Sequence, residues 1–150
     1  MRLLKPIVIA LLFASSAALA ETAANIQGMP IRHGDTVEKI QDAYKTTMVP
    51  EPFKTPDDGS RGLRLKTKGV WFFFDKSGKI DNIRLDAPFK GSVNGVKIGD
   101  STARMREVLG EPAKTVKPPF GGFVYYIDDR TTARINVDSD DNIETIFLIK

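Results

Sequence analysis

The chain has 150 residues with no cysteine and one histidine, and its 22 Lys and Arg residues slightly outnumber its 19 Asp and Glu residues. The absence of cysteine excludes disulfides, thiol catalysis, Cys-ligated metal and lipid attachment through an N-terminal cysteine. Two of the basic residues lie within the first twenty positions, so the rest of the chain is nearly neutral. A nearly neutral chain argues against a nucleic-acid partner, which usually demands a strongly positive surface.

The N-terminal segment, residues 1–20, has the organisation of a secretory signal peptide. Arg2 and Lys5 precede an apolar run from Pro6 to Phe13, and Ala18 and Ala20 fit the small-residue pattern of a cleavage site. The run is too short to span a membrane, and no later stretch approaches the roughly 18 apolar residues of a transmembrane helix. We therefore predict cleavage after Ala20 and a periplasmic or secreted product with no transmembrane segment.

Two parts of the remaining chain resemble each other, which predicts a tandem repeat. The stretch "IRHGDTVEKIQDAYKT" aligns with "VKIGDSTARMREVLGEP" at Gly-Asp, and "FDKSGKIDNIRL" aligns with "VDSDDNIETIFL" without a gap. Agreement at both ends favours a duplication over the independent origin of two similar helices and hairpins. We assign the first repeat to residues 21–90 and the second to residues 91–150.

Each repeat has the pattern of one short helix followed by three strands. We expect the first helix to begin at Asp35, with Glu38 completing a capping box, and the second to begin at Asp100 or Ser101 and end at Gly110. A proline-rich loop follows each helix. The predicted strands are residues 63–67, 70–74 and 80–85 in the first repeat, and residues 123–127, 132–137 and 143–149 in the second.

These elements predict an α+β fold class. The predicted architecture consists of tandem α-β-β-β repeats that form an antiparallel sheet of about six strands, with the helices on one face. In the first repeat, Lys68-Gly69 indicates a two-residue hairpin turn and residues 76–79 indicate a four-residue turn. Counting from these turns places Leu65 opposite Phe72 on the core face beneath the helix.

The same counting predicts which residues lie on the helix-free face. Lys66, Trp71 and Arg84 fall in one row, and Arg64 and Phe73 fall in the next. In the second repeat Arg134 lies beside Phe147. The sequence does not define the length of the turn at residues 128–131, on which the choice between Tyr125 and Tyr126 depends. Tyr125 is favoured as the aromatic neighbour of Arg134 and Phe147. The predicted partner-binding residues are therefore Arg64, Lys66, Trp71, Phe73, Arg84, Tyr125, Arg134 and Phe147.

Aromatic residues flanked by Arg and Lys are typical of protein-binding hot spots. A solvated face would not normally carry the only tryptophan of the chain, Trp71, together with a phenylalanine. Two alternatives stay open: the proline-rich loops fold over this face and make it a second core, or a homodimer buries it.

The string G-D-S-x-x-x-x-x-x-L-G-x-P, from Gly99 to Pro112, is followed by aromatic strands and an acidic hairpin. It resembles the SmpA/OmlA (BamE-like) outer-membrane assembly proteins and, through the duplication, the β-lactamase inhibitor protein (BLIP-like) fold. The resemblance implies a helix-plus-sheet module that binds proteins with a concave sheet face. In the first repeat Lys45 replaces Gly110, and the BamE-like proteins are lipoproteins whereas this chain lacks a lipobox cysteine.

Residues for catalysis or metal binding are sparse. Cys-His pairs and multi-His metal sites cannot be built, and His33, which precedes the first helix, is expected to be solvated or packed in a loop. The stretch "DSDDN", residues 138–142, opens like a calcium loop but lacks the glycine and glutamate that such a loop needs, which favours a hairpin turn. We expect no enzyme activity, no metal and no cofactor.

The function predicted from these observations is an exported protein-binding module that acts as an inhibitor, an immunity-type protector or an adaptor. An outer-membrane assembly accessory protein and a binder of small ligands or cell-wall glycans are the alternatives. A protein partner is expected in the first two cases, and no nucleic acid in any of them.

Overall fold

The computed structural model describes residues 24–53, 59–117, 119 and 121–150, so the predicted signal peptide at residues 1–20 lies outside the described residues. In chain order the elements are β1 (Ile26–Gln27), α1 (Val37–Tyr44), β2 (Glu51–Pro52), β3 (Arg61–Leu65), a 3₁₀ helix (Lys66–Lys68), β4 (Val70–Phe74), β5 (Ile80–Asp86), β6 (Ser92–Val93), α2 (Thr102–Leu109), β7 (Lys114–Val116), β8 (Gly122–Tyr126), β9 (Thr132–Val137) and β10 (Ile143–Ile149). Eight strands form one antiparallel sheet in the order β2-β3-β4-β5-β10-β9-β8-β7, and β1 pairs with β6 in a separate ribbon.

The sheet dominates the structure, and the predicted fold class is therefore wrong. Strands account for 39% and helices for 16% of the structure, which is not the α+β arrangement of tandem α-β-β-β repeats that we expected. Within the described residues each α-helix has eight residues and contributes one buried side chain, Ile40 from α1 and Met105 from α2. The proline-rich loops also supply edge strands β2 and β7. Segments of two or three residues are too short to show alternation, so these strands could not be predicted.

Alternation along the strands builds the core on one side of the sheet. In β4, Val70, Phe72 and Phe74 are buried, whereas Trp71 and Phe73 between them are partly exposed. Ile40 and Met105 belong to the same hydrophobic cluster as the buried strand residues. We call the side of the sheet that carries Phe72 the covered face, and the side that carries Trp71 the open face.

The loops before the two α-helices are hydrogen-bonded to the starts of β5 and β10. The Gly34 N–H donates to the Ile80 carbonyl at 2.8 Å, and the Ile80 N–H donates to the Asp35 carbonyl at 3.0 Å. In the same way, the Gly99 N–H donates to the Ile143 carbonyl at 2.8 Å. These bonds fix where each helix begins relative to the sheet.

The predicted capping box of α1 is wrong. The N-cap is Thr36, whose side chain makes no capping hydrogen bond, and the Asp35 carboxylate instead accepts the backbone N–H of Arg32 at 2.8 Å. In α2 the N-cap is Ser101, whose Oγ accepts the N–H of Arg104 at 3.1 Å. The Asp100 carboxylate accepts the backbone N–H of Lys97 at 2.9 Å, so the aspartate before each helix stabilises the preceding loop.

The connection between β3 and β4 is longer than predicted. A 3₁₀ helix ends at Gly69, which has a φ of 65°, so Leu65 pairs with Val70 and Leu63 pairs with Phe72. The predicted two-residue turn had placed Leu65 opposite Phe72. A shift of two residues keeps every side chain on its predicted face but changes its cross-strand partner.

The predicted pairing of Trp71 with Arg84 and that of Arg134 with Phe147 are confirmed. Both depend on short turns with the same hydrogen bonding. Asp75 Oδ1 accepts the N–H of Lys79 at 3.0 Å in the β4–β5 turn, and Asp138 Oδ1 accepts the N–H of Asn142 at 3.0 Å in the β9–β10 turn. No helix in the described part of the chain has the length and apolar character required to cross a membrane.

Candidate functional site

One row of side chains crosses the open face perpendicular to the strands. Cross-strand pairing links one residue from each of β3, β4, β5, β10 and β9. We call these five residues the cation–aromatic row: Arg64, Trp71, Arg84, Phe147 and Arg134. Because paired residues on one face of an antiparallel sheet lie close together, the register itself brings these side chains into contact.

Guanidinium groups and aromatic rings alternate along this row. The guanidinium carbon of Arg64 lies 5.2 Å from the centre of the Trp71 ring, and that of Arg84 lies 5.8 Å from the same ring. Arg84 also lies 5.6 Å from the centre of the Phe147 ring. These distances are within the range of cation–π attraction. Trp71 is therefore held between two positively charged groups.

A single carboxylate lies between the two arginines that flank Trp71. Asp86 Oδ2 is 3.1 Å from Arg84 Nε and 3.9 Å from Arg64 Nη2. The Asp86 side chain is largely buried, whereas the Arg64 side chain is 45% exposed. One carboxylate close to two guanidinium groups attracts both of them and leaves this part of the row positively charged.

The segment after β2 covers part of the open face. The Phe53 ring lies edge-on to Phe73 with ring centres 4.9 Å apart, and Phe73 stacks on Trp71 at 5.1 Å. The alternative that a proline-rich loop folds over this face is thus realised at Phe73. Trp71 itself stays partly exposed. Residues 54–58 of this loop lie outside the described residues.

A small pocket of about 240 Å³ lies beside Trp71. Met48, Val49 and Phe53 supply apolar atoms to its wall, and all three are exposed to solvent. Gly62 forms part of the same wall, and a Cβ atom added there would lie only 2.8 Å from Trp71 Nε1. The Trp71 ring therefore lies directly over the β3 backbone at a position that has no side chain. The pocket is large enough for one apolar side chain, and Glu51, Arg64 and Lys66 add charged groups to its lining.

The structure brings six of the eight predicted partner-binding residues to the open face. Five form the cation–aromatic row, and Phe73 lies one row away, opposite Asn82. Lys66 was wrongly assigned to the row because it belongs to the 3₁₀ helix beyond β3, although it lines the pocket beside Trp71.

Tyr125 was also wrongly assigned. It pairs with Ala133 on the covered face, is only 5% exposed, and its hydroxyl donates to the Gly110 carbonyl at 3.0 Å. Burial raises the pKa of the Tyr125 hydroxyl, and nearby Arg106 opposes this rise. Tyr126, at 76% exposure, pairs with Thr132 on the open face instead. The unknown length of the β8–β9 turn caused this error, because a change of one residue reverses the face.

Sequence reasoning missed Phe53, Met48, Val49, Gly62 and Asp86. Asp86 could have been found, since it follows Arg84 by two positions on the same strand and therefore shares its face. The other four lacked a usable signal. Phe53, Met48 and Val49 lie next to a strand of only two residues, and an isolated glycine in a strand does not show which ring covers it.

Among the described residues, no group of three or more His, Cys, Asp or Glu side chains could hold a metal ion. Nε2 of His33 lies 3.1 Å from the Leu148 carbonyl oxygen, so this residue is packed against β10 as expected of a loop-packed histidine. Asp138 Oδ1 accepts the N–H of Asp140 at 2.9 Å, which confirms the hairpin turn predicted for "DSDDN".

Comparison with known proteins adds information on the fold alone. No protein-family model and no curated protein matches the chain. A cysteine-rich secretory protein from Staphylococcus aureus is similar in structure, with a TM-score of 0.57 and 14% identity over 79% of this chain. A DUF4309 family protein from Bacillus subtilis, YjgB, gives a TM-score of 0.52 and 18% identity over 82% of each chain.

The chain spans only 44% of the length of the staphylococcal protein. Sequence identities of 14% and 18% are too low to support a conclusion about the activity of this chain. Neither description names the SmpA/OmlA or β-lactamase inhibitor families that the Gly99–Pro112 string resembles, so that resemblance stays a prediction.

Proposed function

We propose that this chain is an exported protein-binding module, of the inhibitor, immunity-type or adaptor kind, that holds its partner on the open face. The observation that carries this proposal is the alternation of guanidinium groups and aromatic rings in the cation–aromatic row. Trp and Arg are the residue types that dominate the energetic centres of protein interfaces. The proposal involves no catalysis, cofactor or metal ion.

The charge of the row defines the chemistry of the partner. The guanidinium groups of Arg64 and Arg84 share one carboxylate, that of Asp86. A partner surface with acidic side chains at its rim would supply the second negative charge. The pocket beside Trp71 would receive an apolar side chain from the centre of the same partner surface. The expected partner therefore carries an apolar anchor surrounded by Asp or Glu.

Site-specific photo-crosslinking in the producing cell would test this proposal. A photoreactive amino acid at position 126 samples the open face, because Tyr126 is highly exposed there. The matched control is the same amino acid at Lys39, an exposed position on α1. A protein captured from position 126 and not from position 39 is then purified for titration.

Titration of the captured protein with variants identifies the residues that carry binding. Trp71→Ala should weaken the complex by about thirtyfold or more, since a central hot-spot residue contributes about 2 kcal/mol. Lys39→Ala is the matched control and should not change affinity, because Lys39 is exposed on α1 and belongs neither to the row nor to the pocket beside Trp71. Equal affinities for wild type and Trp71→Ala would show that the partner does not bind at the open face.

The crosslinking outcome also separates the alternative functions. Capture of a second copy of this chain would indicate a homodimer, and capture of outer-membrane assembly proteins would favour the accessory role. Labelling of peptidoglycan rather than protein would favour a glycan binder, in which Trp71 and Phe73 stack on sugar rings.

A further inference from the structure

A second and larger cavity lies away from the open face. Its volume is about 750 Å³, and its walls come from α1, the connection between β3 and β4, and the ribbon of β1 and β6. Cavities of roughly 300 to 1,000 Å³ are the usual size for small-molecule sites. The cation–aromatic row contributes no residue to this cavity.

Three lysines line this cavity: Lys68, Lys90 and Lys97. No acidic residue is among its lining residues, and no salt bridge within the described residues involves these three lysines. Asp86, four residues before Lys90, pairs with Arg84 on the open face. The Asp100 carboxylate accepts the backbone N–H of Lys97 at 2.9 Å and so lies beside one of the three lysines. With Asp100 counted, the three lysines still leave an excess of positive charge around the cavity.

The rest of the wall is partly apolar and partly polar. Val70 and Phe89 are buried core residues that reach the cavity, and the Tyr44 ring contributes from α1. The Ser92 hydroxyl is buried and lies 3.4 Å from Oε1 of Gln27. A ligand that fits this lining combines negatively charged groups with a compact organic body.

Close backbone contacts hold the walls of the cavity in place. A Cβ atom added at Gly69 would lie 2.1 Å from the Asp86 carbonyl oxygen, and one added at Gly91 would lie 1.9 Å from the Gln27 carbonyl oxygen. At both positions the backbones approach as closely as only glycine permits. The β3–β4 connection and the β1–β6 ribbon are thus fastened to the segment of residues 86–91, and the site exists before any ligand binds.

We infer that this lysine-lined cavity binds a small organic anion that carries two or three negative charges on carboxylate or phosphate groups. Ammonium groups bind such oxyanions through charge-assisted hydrogen bonds. Three lysines around one cavity match a multiply charged ligand better than a singly charged one. This site is separate from the protein-binding surface proposed above.

The test is titration of the ¹⁵N-labelled protein with citrate, followed by two-dimensional NMR at low ionic strength. Triethyl citrate is the neutral control, because it keeps the organic body and lacks the charges. Inorganic pyrophosphate is a parallel probe that distinguishes phosphate from carboxylate recognition. We expect saturable shifts of the amide signals of Lys68, Lys90, Ser92 and Lys97 with an anion and none with the ester.

Lysine variants then test the assignment. The double variant Lys68→Ala/Lys90→Ala should weaken anion binding by about tenfold or more, since it removes two charge-assisted contacts. The matched control is Lys39→Ala/Lys76→Ala, which removes two exposed lysines elsewhere and should not change affinity. Unsaturable shifts, equal affinities in both double variants, or shifts centred on Arg64 and Arg84 would overturn the inference.

Discussion

The covered and open faces of the sheet are built from alternate residues of the same strands, yet they are organised by different forces. On the covered face, Phe72, Ile83 and Leu148 are fully buried and are held by close packing of apolar volume. On the open face, Trp71 and Arg84 meet at 5.8 Å through pairing of ring and charge. Both arrangements follow from one cross-strand register.

The difference shows where this molecule can tolerate change. Removing volume from the covered face leaves a cavity that the rigid sheet cannot fill. Removing a side chain from the open face mostly exposes its neighbours to water. We therefore expect core substitutions to affect folding, and substitutions in the cation–aromatic row to affect binding more than folding.

The largest expected effect comes from substitution at two adjacent residues of β4. Phe72→Ala should lower the free energy of unfolding by about 3 to 5 kcal/mol, because a fully buried ring is lost. Trp71→Ala should cost roughly half as much or less, since this ring is partly exposed. Urea denaturation followed by circular dichroism measures both. If Trp71→Ala is the more damaging variant, the comparison of the two faces is wrong.

A smaller effect is expected where the Trp71 ring crosses β3. Gly62→Ala should push the ring away and cost about 1 kcal/mol, because the added methyl group would lie 2.8 Å from Trp71 Nε1 and displace a ring that is already partly exposed. Since Trp71 is the only tryptophan, its fluorescence should shift to longer wavelength.

The control for Gly62→Ala is Gly122→Ala. A Cβ atom at Gly122 would lie 2.7 Å from Asn136 Oδ1 and 2.8 Å from the Ile135 carbonyl oxygen, so this site is at least as crowded and is distant in the sheet from the tryptophan. Its variant should leave the emission of Trp71 unchanged. The same emission shift in both variants would show that the fluorescence reports general loosening of the sheet.

The turns determined how much of the two faces could be predicted from the sequence. Strand alternation assigned Trp71 and Phe72 to opposite faces, and the tight Asp75 turn allowed the pairing of Trp71 with Arg84 to be counted correctly. The 3₁₀ helix that ends at Gly69 added two residues to the β3–β4 connection and put Lys66 outside the row. Such a helix of three residues has no periodicity to recognise.

The errors at Tyr125 and in the fold class have related causes. The predicted face of Tyr125 depended on a turn whose length the sequence leaves open. The Tyr125 side chain lies in the core. The outer strands of the sheet, β2 and β7, were missed because they are too short for a strand pattern. The pocket beside Trp71 depends on Phe53, whose position follows from tertiary contacts.

Two further substitutions test how the loops before the two α-helices are stabilised. Asp35→Ala and Asp100→Ala should each cost about 1 kcal/mol, because each removes the acceptor of one backbone hydrogen bond. The asparagine variants retain an acceptor oxygen and should recover most of this loss. If alanine and asparagine behave alike in denaturation, the charge and not the hydrogen bond is responsible.

The smallest effect is expected at the turn that sets the register of β4 and β5. The Ser77 hydroxyl and the Lys79 backbone N–H hold the pKa of the Asp75 carboxyl below its ordinary value. Since the folded state has the lower pKa, this stabilisation is complete above a pH of about 4 and is lost as the pH falls through the folded pKa. Asp75→Asn lacks this titration. The stability advantage of wild type over Asp75→Asn should therefore shrink on acidification, and an advantage independent of pH would contradict the assignment.

The two edges of the main sheet have a consequence for the behaviour of the protein at high concentration. An exposed edge strand offers unpaired N–H and carbonyl groups to other chains and can start aggregation. Here the edges are β2, with two residues of which Pro52 has no N–H, and β7, with three residues beginning at Lys114. Such short edges offer little template for strand addition. Short edge strands, one of them with a proline, thus lower the risk that copies of the protein join edge to edge into fibres at these positions while the open face presents aromatic side chains.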